Sequence, residues 1–277
     1  MGRLMMRCVD RSLLLRACHF CGLILLIGCG SMTAPSPSKE SNSPPATTVR
    51  VAAAADLKFA FPDLIAAFQR EHPHVQIEAN FGSSGSFFAQ LSNQAPFDLF
   101  LSADMAYPRK LIEQGQAEAN SEFQYAVGHV GIWVRNESML APDKQGVEVL
   151  NDPTVQKIAL ANPKHAPYGR AAEAALKSLN IYDAVKDRLV FGENVAQAAQ
   201  FAESGAAEVG LIAQSLAVSS ALRDKGRFWP FPDDSYPKLE QGGIVLTWAH
   251  DRAACEQFRQ FLLSEQGREV LRRYGLE

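Results

Sequence analysis

Past residue 29 the sequence contains a single cysteine, Cys255, so no disulfide can close within the body of the chain. The other cysteines, Cys8, Cys18, Cys21 and Cys29, crowd the N-terminus. Cys18 and Cys21 form a C-x-x-C, a spacing suited to redox or zinc chemistry, but the pair lies inside a targeting segment. Positive charge is not in excess either. The net charge is −3, with 27 Lys and Arg against 30 Asp and Glu, and no basic stripe appears, which removes support for nucleic-acid binding. A small dianion is not excluded, because neutral dipoles can hold an anion. No short-period repeat is visible, and neither H-E-x-x-H nor G-x-S-x-G occurs. Asp56, Asp104, His165 and Glu193 are then the components of any hydrolytic or metal cluster. The plainer reading of His165 is a surface loop histidine.

The apolar run CGLILLIGCG is too short to span a bilayer comfortably. Arg3, Arg7, Arg11 and Arg16 precede it, and it ends in Leu26-Ile27-Gly28-Cys29. That end resembles a bacterial lipoprotein signal, in which small residues admit the peptidase and the cysteine thiol accepts lipid. Residues 1–29 are read as such a signal, with Cys29 as the lipidation site and a diacylglycerol as membrane anchor. Cleavage without lipidation is the alternative. The arginine-rich stretch is long for its role, which makes Met5 or Met6 alternative starts. Residues 30–48, GSMTAPSPSKESNSPPATT, carry no apolar period and read as a solvated tether.

With 277 residues, 47% hydrophobic and 21% charged, the chain suits one large globular domain or two lobes. From Val49 short apolar runs alternate with helical periods. VRVAAAA reads as a strand, and LKFAFPDLIAAFQREH as a helix with Leu57, Phe61, Leu64, Ile65 and Phe68 on one face. VQIEANF, FDLFLSA, KIALANP, RLVFG, EVGLIA and GGIVLTW follow as strands. GSFFAQLSNQ, YPRKLIEQGQ, GRAAEAALKSL and VAQAAQFAESG read as helices, and two amphipathic helices close the chain. FQYAVGHVGIWVRN is long enough to pass from one lobe to another. The alternation predicts an α/β layered fold with a largely parallel sheet.

Ligands in such folds sit beyond the carboxyl ends of strands. Four strand-to-helix junctions stand out: AAAADLK, NFGSSGS, ANPKHAPYGRA and FGENVAQ. Each offers unpaired N–H groups and a partial positive charge. Each also has a plain reading. Asp56, Ser84 or Ser86, and Asn194 are good N-caps, and Pro167-Tyr168-Gly169 suits a turn. Asp98 and Asp104 read as capping or hinge-side acceptors, and Trp229 and Trp248 as core or interface residues.

VAAAADLKFAF, NFGSSGSFFAQL, APFDLFLSAD, NPKHAPYGRAAEAAL, ENVAQAAQFAESGAAEVGLIA and FLLSEQGREVLRRYGLE, taken in order over residues 49–277, resemble the periplasmic molybdate-binding proteins of ABC transporters. The resemblance implies a two-lobed type 2 periplasmic binding protein fold with the ligand cleft between the lobes. Residues 49–126 plus 241–277 would form the first lobe and 127–240 the second. It implies a monomeric, extracytoplasmic binding protein, not an enzyme, that takes molybdate or tungstate to an ABC transporter permease and needs no cofactor. Phosphate or sulfate is the alternative ligand, and a secreted metal-dependent hydrolase the alternative class.

By the same resemblance the oxyanion would be held by Ser84, with Ser83 beside it, and by the backbone N–H groups of Tyr168 and Val195. Any molybdenum or tungsten would be present only within the oxyanion, on those same residues. Two positions depart from the pattern. Asp56 stands where a serine is common, and a carboxylate repels a dianion. It is expected to turn away and cap the following helix, leaving the Leu57 and Lys58 amides for the ion and the Lys58 side chain to offset charge. Ala213 stands where a tyrosine is common, and the Tyr168 hydroxyl is expected to supply the missing donor. If Asp56 instead faced the ligand, it would accept a hydrogen bond from a protonated oxyanion such as phosphate.

Overall fold

The computed structural model describes residues 46–277 except 118 and 119. The signal segment 1–29, its Cys29, the C-x-x-C and residues 30–45 of the expected tether lie outside the described residues. The first strand starts at Thr47, inside the stretch assigned to the tether. Thr47 and Thr48 are β-branched and pair with Val75 and Gln76. No helix among the described residues is long and apolar enough to cross a membrane.

The strands, in chain order, are β1 (Thr47–Ala54), β2 (Val75–Gly82), β3 (Leu99–Ser102), β4 (Phe123–Gly128), β5 (Val130–Arg135), β6 (Ile158–Ala161), β7 (Leu189–Gly192), β8 (Val209–Ala213), β9 (Gly226–Pro230) and β10 (Leu239–Val245). They form two five-stranded sheets, ordered β2-β1-β3-β10-β4 and β7-β6-β8-β5-β9. In each sheet one strand, β10 or β5, runs antiparallel to both neighbours, and the other pairings are parallel.

Residue types account for this order. LFLS of β3, IALA of β6 and VGLIA of β8 are buried along their whole length, as parallel strands covered on both faces must be. β2 lies at a sheet edge, and its VQIE stretch alternates buried and exposed. The expected helix over 57–72 is shorter, Phe61–Phe68, and is preceded by one 3-10 turn over Ala55–Leu57. Leu57 is buried there beside Phe61, Leu64 and Phe68, so the apolar spacing runs straight through a change of helix type.

The chain crosses between sheets at two places. FQYAVGHVGIWVRN is not one strand: β4 belongs to the first sheet and β5 to the second, with His129 alone between them. It returns through residues 231–238, between β9 and β10. At the first crossing Gly128 must be glycine, because a Cβ would stand 2.2 Å from Tyr168 Oη and 2.6 Å from Gln241 Nε2. The core built on Ile132, Trp133, Leu160 and Leu211 also takes in Ala54, Ala55 and Ala103 from the first sheet's side. The two lobes therefore meet through small side chains.

Candidate functional site

Between the lobes lies a small cavity of about 10 Å³, the space of about one water molecule. That is below the roughly 300–1,000 Å³ typical of organic-ligand pockets. Its lining comes from all four junctions singled out in the sequence. Ala54–Asp56 follow β1, Gly82–Ser84 end β2, Ala166–Tyr168 open the helix Pro167–Ser178, and Asn194–Val195 open the helix Val195–Glu203. Ala103, just past β3, completes it. No lysine, arginine or histidine is among the lining residues. Any attraction for an anion must come from dipoles.

The local geometry leaves donors over. Ser84 Oγ accepts the Ala103 N–H at 3.0 Å and is buried. Its hydroxyl proton stays available to the cavity. The N-cap of the helix Ser84–Leu91 is Ser83, not Ser84 or Ser86. Ser83 Oγ takes the Ser86 N–H at 3.3 Å and lies 2.8 Å from Ser86 Oγ and 2.9 Å from His165 Nδ1. Ser83 is thus largely committed to capping and to the opposite lobe. Asn194 Oδ1 caps Ala196 and Gln197 at 3.0 and 3.1 Å. It passes over Val195, the first residue of that helix, whose N–H has no intrahelical acceptor. The helix Pro167–Ser178 has Ala166 at its N-cap and no side-chain cap, so the Tyr168 N–H is likewise free of its own helix.

Asp56 does not cap a helix. It sits inside the 3-10 turn, whose N-cap is Ala54, and is fully buried. Its Oδ2 accepts from Tyr168 Oη at 3.1 Å and from Gln241 Nε2 at 2.7 Å. Its Oδ1 has no partner. Burial pushes the carboxyl pKa up to about 6, against the downward pull of the Gln241 and Tyr168 bonds. Three linked expectations are corrected with it. The Tyr168 hydroxyl is spent on Asp56 and does not replace a donor at Ala213. The Lys58 N–H is spent on Ala55 O at 3.3 Å, and the Lys58 side chain lines a separate groove with Phe59 and Asn80. Leu57 is buried in the turn but does not line the cavity.

The structure does not gather Asp56, Asp104, His165 and Glu193 into one cluster. Among the described residues no group of three or more His, Cys, Asp or Glu could hold a metal ion. Asp104 instead bonds the Ala106 N–H at 2.8 Å and Arg170 at 2.5 Å. Asp98 is buried and takes the Arg50 N–H, the Arg50 guanidinium and the His250 N–H. Trp248 donates to Ala95 O, and Trp229 packs edge-on to Phe231.

Sequence reasoning missed the residues that join the lobes. The Gly85 N–H donates to His165 O at 2.9 Å. Arg170 reaches both Asp104 and Tyr107 Oη. Ser215 Oγ donates to Asp56 O at 2.8 Å. Gln241, at the heart of the Asp56 network, is fully buried. Its one sequence signal is a polar amide beside Gly242-Gly243 in the strand LEQGGIV.

The model of the bacterial extracellular solute-binding proteins matches residues 49–277. The molybdate-binding protein ModA of Azotobacter vinelandii is 34% identical over 253 residues, which cover 91% of this chain and 96% of that protein. The molybdate-binding protein ModA of Rhodobacter capsulatus is 34% identical over 233 residues, 83% of this chain and 89% of that one. A solved structure of the Azotobacter vinelandii periplasmic molybdate-binding protein superposes with a TM-score of 0.77 at 29% identity, covering 83% of this chain and 98% of that one.

Proposed function

The chain belongs to the bacterial extracellular solute-binding protein family, and we propose that it captures molybdate outside the cytoplasm and delivers it to an ABC transporter permease. Tungstate, of the same shape and charge, is a second ligand of the same site. The observation that carries this reading is the cavity itself: small, set between two lobes, offering the Ser84 hydroxyl and the helix-start N–H groups of Tyr168 and Val195 among small residues, with no cationic side chain and Asp56 as its one carboxylate. Helix starts facing one point favour an anion through unpaired N–H groups and partial positive charge. The ion is held through its oxygens and undergoes no reaction.

In this reading Ser84 and the backbone N–H groups of Tyr168 and Val195 are the donors, and Ser83 beside them caps the helix that presents Ser84. Asp56 stands at the edge of the set, and Leu57 supports it from the turn behind. Lobe closure is part of capture, and the contacts of Gly85 with His165 and of Arg170 with Asp104 hold the closed form. Residues 30–46 serve as the tether between an anchored Cys29 and this body, which begins with β1 at Thr47. The protein works as a monomer.

Phosphate is the second reading, and one observation favours it: the unpartnered Asp56 Oδ1 could accept the O–H of a protonated ion. A cavity holding donors alone would reject that O–H for want of an acceptor. Equilibrium titration with molybdate, tungstate, phosphate and sulfate separates the two. Binding of molybdate and tungstate in preference to the others supports the first reading. Preference for phosphate replaces it, and binding of none overturns both.

A further inference from the structure

Asp56 is fully buried against the cavity, yet only one of its oxygens is used. Gln241 Oε1, on the far side of the same network, is a second buried acceptor without a donor. Two buried acceptors without a donor in one hydrogen-bonded network mark a network that lacks a proton. No lysine, arginine or histidine lines the cavity to neutralise a carboxylate. A dianion entering beside the buried carboxylate would put three negative charges within one small cavity, where little screening is available.

We propose that Asp56 is protonated in the loaded site and donates its hydroxyl toward the bound oxyanion, so that capture of each dianion takes up one proton. Dianion, carboxylate and one proton give a complex of net charge −2 instead of −3. No bond to the central atom forms or breaks. The inference rests on the oxyanion reading above and adds to it which charge state the site accepts.

The surroundings of Asp56 leave it as the group that titrates. Tyr168, from the opposite lobe, and Tyr125, from β4, are its titratable neighbours, and burial beside Asp56 holds both phenols well above their ordinary range. Tyr236 stands behind Tyr168, with its phenol also raised by burial. Gln241 from β10 and Ser215 from the helix Gln214–Ala217 are neutral. Lys58, on the same turn, directs its ammonium over the Phe59 ring instead. Burial carries the Asp56 carboxyl to about 6, so the proton required on loading is accessible near neutral pH.

The test is calorimetric titration of molybdate into the purified protein at about pH 7 and about pH 8, in pairs of buffers with different ionisation enthalpies. The expected result is uptake of close to one proton per ion and an approach to tenfold weaker binding for that unit of pH. Asp56→Asn, which carries a permanent donor of the same shape, should bind without proton uptake and more tightly than wild type at the higher pH. Wild-type binding with an unchanged Kd and no buffer-dependent heat would overturn the inference while leaving the oxyanion reading intact. Failure of every oxyanion to bind would instead overturn that reading. If Asp56→Asn does not fold, the wild-type proton count decides alone.

Discussion

The backbone N–H of Gly85 donates to the backbone carbonyl of His165 at 2.9 Å, joining one lobe to the other next to Ser84 and Ala166, which line the cavity. A Cβ at Gly85 would stand 2.5 Å from that same oxygen and 2.8 Å from Tyr107 Oη. The obstruction is backbone, so it cannot swing aside. Gly85→Ala should therefore leave each lobe folded but stop full closure. X-ray scattering should show wild type contracting when molybdate is added and the variant failing to do so, with binding weakened about tenfold or more. A variant that contracts as wild type does would show that this contact does not limit closure.

Ser84 and Ser83 should differ in effect although they are neighbours. Ser84→Ala removes a free hydroxyl proton and strands the buried Ala103 N–H. A hydrogen bond to a charged group contributes about 1.5–3 kcal/mol, or roughly 10–100-fold in Kd. Ser83→Ala should cost less affinity and more stability, because its oxygen caps a helix and faces His165. Calorimetry and thermal melting of the two variants, side by side, separate these roles. Equal losses of affinity would contradict the division.

Asp98 lies away from the cavity and should matter to stability alone. Burial would raise its pKa, but bonds from Arg50 and from the His250 and Arg50 N–H groups outweigh that and hold it below the ordinary carboxylate range. A depressed pKa means its contribution is present at neutral pH and is lost as pH falls through the folded-state value. Asp98→Asn should lower unfolding free energy by about 1–3 kcal/mol near neutral pH, since Arg50 is half exposed. The deficit should shrink in acid. Molybdate affinity should not change, and a loss of affinity at matched folded fraction would argue that β1 is displaced.

Asp56 should show the opposite pH trend. Its carboxyl is raised from 3.8 to about 6 in the folded protein. Folding therefore favours the protonated form, and stability falls as pH rises between those values. Above about 6 the penalty is constant, at most about 3 kcal/mol. Asp56→Asn should raise the melting temperature of the ligand-free protein near neutral pH and leave it unchanged in acid below the unfolded pKa. A variant less stable than wild type at neutral pH would mean that the carboxylate is stabilised there.

The junctions were legible in the sequence because their signals are local. Ser84 and Val195 stand at helix starts that two or three neighbours define, and the alternation of apolar runs with helical periods predicts the α/β layering, though not its division into two sheets. What escaped was non-local or silent. Asp56 looks like a cap because Asp before a helix usually is one, and its partner Gln241 lies 185 residues away. The 3-10 turn at 55–57 hides because Leu57 keeps the helical apolar spacing. β9, which ends at Pro230, went unread because its residues do not alternate cleanly. It is an edge strand, where proline is tolerated. Arg170 sits within a motif that was read for its backbone, and nothing in the sequence says that its side chain crosses to Asp104.

The most direct measurement is diffraction from crystals grown with tungstate, using the anomalous signal of tungsten to place the ion. The account predicts a single strong peak in the cavity between the lobes, within hydrogen-bonding reach, through its oxygens, of Ser84 Oγ and the Tyr168 and Val195 N–H groups. A peak in the groove beside Lys58, or no ordered tungsten between the lobes, would contradict it.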